Sequence, residues 1–211
     1  SDRTWATSCQ DRQVNILNGA TLTVSVPMAL DTVMMEEDAQ VVFTATEGKL
    51  TARSLRFAPL LSATGWTAFG MPFTSAVIKN STEEEISAPS VQNVDNGIWF
   101  ARLKDNKTPE FVVDESAFGM AGLWAANGDT YTISSEGAFE FKTLEEPAAP
   151  TETGTFLMCS NPNTFTITLK QSAYILTADG TSFEQEANPE IKPFQSFVLT
   201  DAKTMSTLRS S

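Results

Sequence analysis

The sequence predicts an all-β fold: a β-sandwich-like body preceded by a β-meander or a short solenoid-like N-terminal segment. Three observations predict it. Short stretches such as TLTVSV (Thr21–Val26) and TFTITLK (164–170) alternate apolar and polar residues with period two. Gly, Pro, Asn and Asp separate these stretches at short intervals, the rhythm of successive strands rather than of βαβ units. With 41% hydrophobic and 19% charged residues in 211, the chain has the composition of a globular protein with a core of its own.

The elements follow in order. Residues 1–13 are polar and carry no strand pattern. TLTVSV puts Leu22, Val24 and Val26 on one face, and Pro27 ends it. ALDTVMMEEDAQ (29–40) suits either a helical turn or a strand ending in an acidic turn, and the second fits its neighbours better. QVVFTAT (40–46) and KLTARSLRF (49–57) are strands divided by Glu47-Gly48; the latter alternates through Leu50 and Ala52, then resumes at Leu55 and Phe57. A first unit is therefore expected over residues 1–59, and a β-sandwich-like module over 60–211.

In the second unit, WTAFGMPF (66–73) is an apolar run broken by Gly70 and Pro72, and NSTEEEISAPS (80–90) reads as a loop. GIWFARLK, EFVVDE, GLWAA, DTYTIS and AFEFK are strands between Gly97 and Lys142. ESAFGMAGLWAA also suits a short helix, which Gly119 and Gly122 disfavour. Residues 143–154, with Pro147 and Pro150, form a linker or long loop. Ala178-Asp179-Gly180-Thr181 predicts a hairpin turn, expected as type I′. NPEIKPFQSFVLT (188–200) reads as a core strand with Pro193 off the hydrogen-bonding ladder.

Composition excludes several functions. The chain has no histidine, which removes Ser-His-Asp and Cys-His nucleophiles and every histidine-containing metal site. A net charge of −12 repels phosphate backbones, so no nucleic-acid partner is expected. No apolar run reaches the roughly 18 residues of a membrane helix, so no membrane span is expected. The chain opens at Ser1 without a visible signal peptide, and a processed form is the expectation. Cys9 and Cys159 fit no metal or C-x-x-C spacing; a disulfide and two buried thiols both remain open.

Three constellations carry possible chemistry. Trp66, Trp99 and Trp124 are the candidate ligand-binding residues, because an exposed indole stacks on a sugar face; each also lies in an apolar run, where core burial competes. Glu36-Glu37-Asp38 and Glu83-Glu84-Glu85 are acidic runs, read as solvated surface, since a glycosidase needs two carboxylates across a cleft in contrasting environments. Asp95-Asn96-Gly97, Asp105-Asn106 and Asn127-Gly128-Asp129 are oxygen-rich but lack calcium-loop spacing and read as turns. No catalytic residue, metal site or cofactor is expected.

GTFLMCSNPNTFTI and the stretch from AYILTADGTSF to the end place Tyr174, Leu176, Gly180, Phe183, Pro193, Phe194 and Phe197 in a strand, a hairpin and a Pro-Phe strand. In this they resemble a C-terminal β module of secreted and cell-surface Bacteroidetes proteins. Trp66, Pro72 and Phe73 match its opening Trp and Pro-Phe strand, while FGMAGLWAAN lacks the proline of its Gly-Pro-Tyr strand. The resemblance covers roughly residues 60–209 and implies export, a β-sandwich-like body and a surface role, with no catalytic residue carried across. The expected function is a non-catalytic, extracytoplasmic module supporting adhesion, assembly or display. Its partners would be a glycan, a host or matrix protein, or a neighbouring surface protein. A glycan-binding module using exposed aromatics is the alternative, and a carboxylate-only glycoside hydrolase the third reading.

Overall fold

A computed structural model describes residues 3–5, 12–44, 49–61, 64–89, 97–104, 111–113, 119–141, 156–200 and 208–209. Every regular element among them is a strand, so the protein is all-β. The linker expected at 143–154, Cys9 and Asp105-Asn106 lie outside the described residues.

The first six strands form parallel coils. They are β1 (Arg3–Trp5), β2 (Gln13–Ile16), β3 (Thr21–Val24), β4 (Met28–Glu36), β5 (Gln40–Phe43) and β6 (Leu50–Ala58). Alternate strands stack in parallel, β1-β3-β5 in one sheet and β2-β4-β6 in another, so the chain winds as a short solenoid. Like residues stack inside it: Ile16 on Met35 on Phe57, Val14 on Val33 on Leu55, Leu22 on Val41. In β4 the inward positions run Met28, Leu30, then Val33, Met35; in β6 they run Leu50, Ala52, then Leu55, Phe57. Both strands thus slip by one residue at the same level, which turns a corner of the coil. Strand β1 falls in the segment expected to be strandless. Its pairing with Leu22–Val24 explains it, since a partner's backbone can order residues that show no alternation.

The remaining strands are antiparallel. They are β7 (Thr67–Gly70), β8 (Ala76–Lys79), β9 (Glu85–Ile86), β10 (Ile98–Leu103), β11 (Phe111–Val113), β12 (Ala121–Ala126), β13 (Thr132–Ser135), β14 (Phe139–Phe141), β15 (Phe156–Ser160), β16 (Ile167–Thr168), β17 (Ala173–Leu176), β18 (Ser182–Glu186), β19 (Glu190–Ile191), β20 (Ser196–Thr200) and β21 (Leu208–Arg209). Hydrogen bonding does not break at residue 59: β13 and β14 pair with β6, so the solenoid sheet continues as β2-β4-β6-β13-β8-β9. Two further sheets run β11-β10-β12-β7 and β15-β20-β17-β18-β21.

These sheets stack in layers. One cluster joins the coil interior to Phe69, Ile98, Phe100, Trp124 and Phe194. A second joins Leu103 and Leu123 to Phe156, Tyr174, Phe183 and Val198, between the four- and five-stranded sheets. Leu123 and Trp124 therefore point to opposite faces of β12, and the four-stranded sheet is buried on both sides, which is why GLWAA is continuously apolar. The outer face of the five-stranded sheet buries Ala173, Ile175, Phe197 and Leu199 under Leu169 and Ile191. Cys159 on β15 is half-buried, and desolvation of its thiol pushes its pKa up to about 12.

Candidate binding cleft

A cleft of about 650 Å³ opens where the coils meet the antiparallel sheets. Its walls come from the β4–β5 turn (Glu37, Asp38), the segment after β6 (Pro59, Leu60, Leu61), Trp66, the β17–β18 hairpin and the turn at 192–195. The volume lies in the range of small-ligand sites. Leu60 stands at its mouth with 66% of its surface exposed.

Each wall has a local cause. Asp38 takes a φ of 59°, a left-handed conformation that a short polar side chain tolerates, and so closes the β4–β5 turn. The ambiguous ALDTVMMEEDAQ stretch is thus a strand ending in an acidic turn, as its neighbours suggest. Trp66 is held by its amide, which donates to Gly180 O at 3.1 Å. A Cβ at Gly180 would overlap the Trp66 backbone, so the glycine permits this approach. Of Ala178, Asp179 and Gly180, only Gly180 has positive φ (69°), and its amide donates to Thr177 O. The hairpin is therefore a type I turn followed by a left-handed glycine, not the expected type I′.

The turn at 192–195 departs furthest from expectation. NPEIKPFQSFVLT is two short strands, β19 and β20, joined by a turn that contains Pro193 and Phe194. Phe194 is buried with a φ of 58°. Three contacts hold it there: its amide donates to Asn161 O (3.1 Å), its carbonyl accepts from Gly70 N (2.7 Å), and its ring meets Phe57 edge-on at 5.2 Å. Asn161, itself fully buried, donates from Nδ2 to the carbonyls of Phe165, Ile191 and Lys192 and accepts at Oδ1 from Asn163. Sequence reasoning overlooked Asn161, because nothing local marks an asparagine whose partners lie 30 residues away.

The charged groups are unequal. Lys192 Nζ pairs with Asp38 at 2.9 Å. Glu37 has no hydrogen-bond or ion-pair partner among the described residues. Burial, then the neighbouring Asp38, raises its pKa, while Lys192 opposes them. Glu36 turns away and accepts from Asn18 N. The run was read as solvated surface; Glu37 is instead a cleft residue, and only tertiary structure reveals it. Glu83, Glu84 and Glu85 are exposed on the β8–β9 hairpin, as expected of a solvated run.

The three candidate tryptophans lie at one end of the four-stranded sheet but do not form one surface. Trp124 is fully buried between Phe69 and Phe100, so it offers no stacking face, and the ligand-binding expectation is corrected there in favour of core packing. Trp99, opposite Ala125, is half-buried and outside this cleft. Trp66 is half-buried and lines it. A smaller cleft of about 270 Å³ contains Ser160 and Glu140, the latter paired with Lys49. Asn127-Gly128-Asp129 is a turn: Asn127 Oδ1 accepts from Asp129 N and the Tyr131 hydroxyl. Among the described residues no group of three or more acidic or cysteine side chains is placed to hold a metal.

Fold and cleft together define a class: an all-β protein whose short parallel solenoid runs into layered antiparallel sheets, with a mixed apolar and acidic cleft at the junction. Compared with protein-family models, curated proteins and solved structures, the chain matches none of them. No helix among the described residues is long and apolar enough to cross a membrane.

Proposed function

We propose that the chain is a non-catalytic, exported surface module that works by binding, in adhesion, assembly or display. One observation carries the non-catalytic part. The two carboxylates of the Trp66 cleft, Glu37 and Asp38, are consecutive residues of one turn, and Lys192 holds Asp38. Carboxylate-only glycoside hydrolysis needs two acids on opposite sides of the scissile bond, about 5–10 Å apart. The other residues lining this cleft, Trp66, Leu60 and Pro59 among them, supply no further acid. Export and the surface role rest on the resemblance of residues 60–209 to Bacteroidetes surface modules.

The test is an array of matrix proteins and glycans probed with the whole protein, beside a screen of chromogenic glycosides and esters from acidic to mildly alkaline pH. Saturable array binding without turnover is expected. Turnover lost on replacing one Asp or Glu, with the fold intact, overturns the proposal. The glycan alternative keeps two of its three tryptophans, Trp66 and Trp99, and predicts array hits among sugars that Trp66→Ala or Trp99→Ala abolishes.

A further inference from the structure

Most polar side chains around the Trp66 cleft are already engaged. Asp38 holds Lys192. Gln195 Oε1 accepts from the Lys192 amide at 2.9 Å. Thr177 Oγ1 donates within the hairpin and Thr67 Oγ1 donates to Leu60 O. Of the two carboxylates, Glu37 alone makes no close ion pair among the described residues, although Lys192 acts on it at longer range. Trp66, Pro59, Leu60 and Leu61 line the same cleft, an apolar surface that includes an exposed leucine.

We propose that this cleft receives a basic side chain, a lysine or arginine from a segment of a partner protein. Glu37 takes the cation, and the Trp66–Leu60–Pro59 wall takes the aliphatic stem. The inference rests on the surface-binding reading and narrows it to one site and one chemistry. Charge complementarity favours this occupant: the chain carries −12 overall, and the one unpaired cleft carboxylate is half-buried. A neutral sugar presents many hydroxyls and needs several free donors and acceptors, whereas Asp38, Thr67, Thr177 and the side-chain oxygen of Gln195 are already engaged, which leaves chiefly the Gln195 amide donors. An anionic ligand meets Glu37 and Asp38 head-on. A lysine or arginine needs one carboxylate and an apolar sleeve, and an indole face favours a cation as well. The raised pKa of Glu37 agrees, because a cation relieves both its desolvation and its repulsion from Asp38. Asp38 and Lys192 are the other charged residues lining the cleft, so acid weakens binding as Glu37 takes up its proton.

The test is calorimetric titration with capped peptides Ac-Gly-Leu-X-Leu-Gly-NH2, where X is Lys, Arg, norleucine or Glu, and with cellopentaose as a neutral sugar. The Lys and Arg peptides should bind at least about tenfold more tightly than the norleucine peptide, the size of one charge-assisted hydrogen bond. Glu37→Gln, nearly isosteric and checked by circular dichroism, should remove that advantage while leaving norleucine binding unchanged. Trp66→Ala should weaken both. Raising salt from about 50 to about 500 mM should weaken the Lys peptide only. Equal binding of Lys and norleucine peptides, full Lys binding by Glu37→Gln, or no binding of Lys or Arg peptides at millimolar concentration overturns the inference. So does Trp66-dependent binding of cellopentaose alone, which makes this a sugar site. Array binding by the whole protein that survives both substitutions keeps the surface reading and removes this site from it.

Discussion

Replacing Phe194 separates two energies held at one residue. Its ring is buried against Phe57, and its backbone is left-handed. Phe194→Ala removes the ring, and truncating a buried phenylalanine costs about 3–5 kcal/mol. The alanine still carries a Cβ in left-handed backbone, a penalty of about 1–2 kcal/mol that the phenylalanine also bears. Phe194→Gly removes the same ring and that penalty together. Against this, glycine loosens the unfolded chain, which costs about 0.4–1 kcal/mol. The balance leaves the glycine variant more stable than the alanine variant by about 0.5–1 kcal/mol. That reverses the usual order at a helix or strand position, where glycine is the worse of the two. Urea unfolding followed by tryptophan fluorescence, with equal slopes for both variants, measures the difference. A glycine variant less stable than the alanine one, or an alanine variant costing under about 1 kcal/mol, would refute the placement of Phe194 in a strained, buried turn.

Other substitutions test the remaining structure. Asn161→Ala should cost about 1–3 kcal/mol, because it strips the buried carbonyl of Ile191 of this donor, while Lys192 O keeps the Gln195 amide; a loss below about 0.5 kcal/mol would show that the Ile191 carbonyl finds another partner. Glu84→Ala, on an exposed hairpin, should stay within about 0.5 kcal/mol of the parent in the same unfolding assay. Glu37→Gln should raise the melting temperature near neutral pH. The folded pKa of Glu37 lies above its unfolded value of about 4.3, so its protonation contributes stability that is complete below that value and is lost as pH rises through the folded pKa. Glutamine never ionises; the two proteins should melt alike in acid and diverge towards neutrality, and parallel curves at every pH would refute the desolvation of Glu37.

The strands were legible because alternation survives in them. Even the coil corner shows in LTARSL, where the inward set jumps from Ala52 to Leu55 with Arg53 and Ser54 both turned outward. Choosing parallel coils over a meander was not possible from alternation, which serves either. Arg3 on Leu22, Gln13 on Thr32 and Leu22 on Val41 share one 19-residue offset, but Thr32 on Ser54 lengthens it to 22, and so short a run of unlike residues shows no exact repeat in the string. The cleft was less legible still. Glu36-Glu37-Asp38 and Glu83-Glu84-Glu85 are alike as strings, and only the burial of Glu37 in a cleft shared with Lys192 and Trp66 sets it apart. Phe194 looked like a strand residue because its apolar neighbours alternate around it. Its left-handed backbone comes from bonds to Asn161 and Gly70, far away in sequence.

Those distant bonds also explain where the cleft sits. A parallel stack of coils ends in a strand with unpaired amides and carbonyls, an edge that must be covered. Here β5 is that edge, and the segment after β15 covers it. Val41 N donates to Thr164 O at 2.7 Å, Thr164 Oγ1 donates back to Val41 O, and Thr166 N donates to Gln40 Oε1. The same segment contains Asn161, which fixes the carbonyls of Ile191 and Lys192 and the amide of Phe194. One loop therefore seals the solenoid and sets the turn that carries Lys192 to Asp38. Since Asp38 ends β4's own turn, both sides of the acidic wall are anchored to the sealed coil rather than to free loops. Such anchoring fixes the backbone of the turn that carries Glu37, and a partner's side chain entering as proposed would therefore meet a smaller ordering cost.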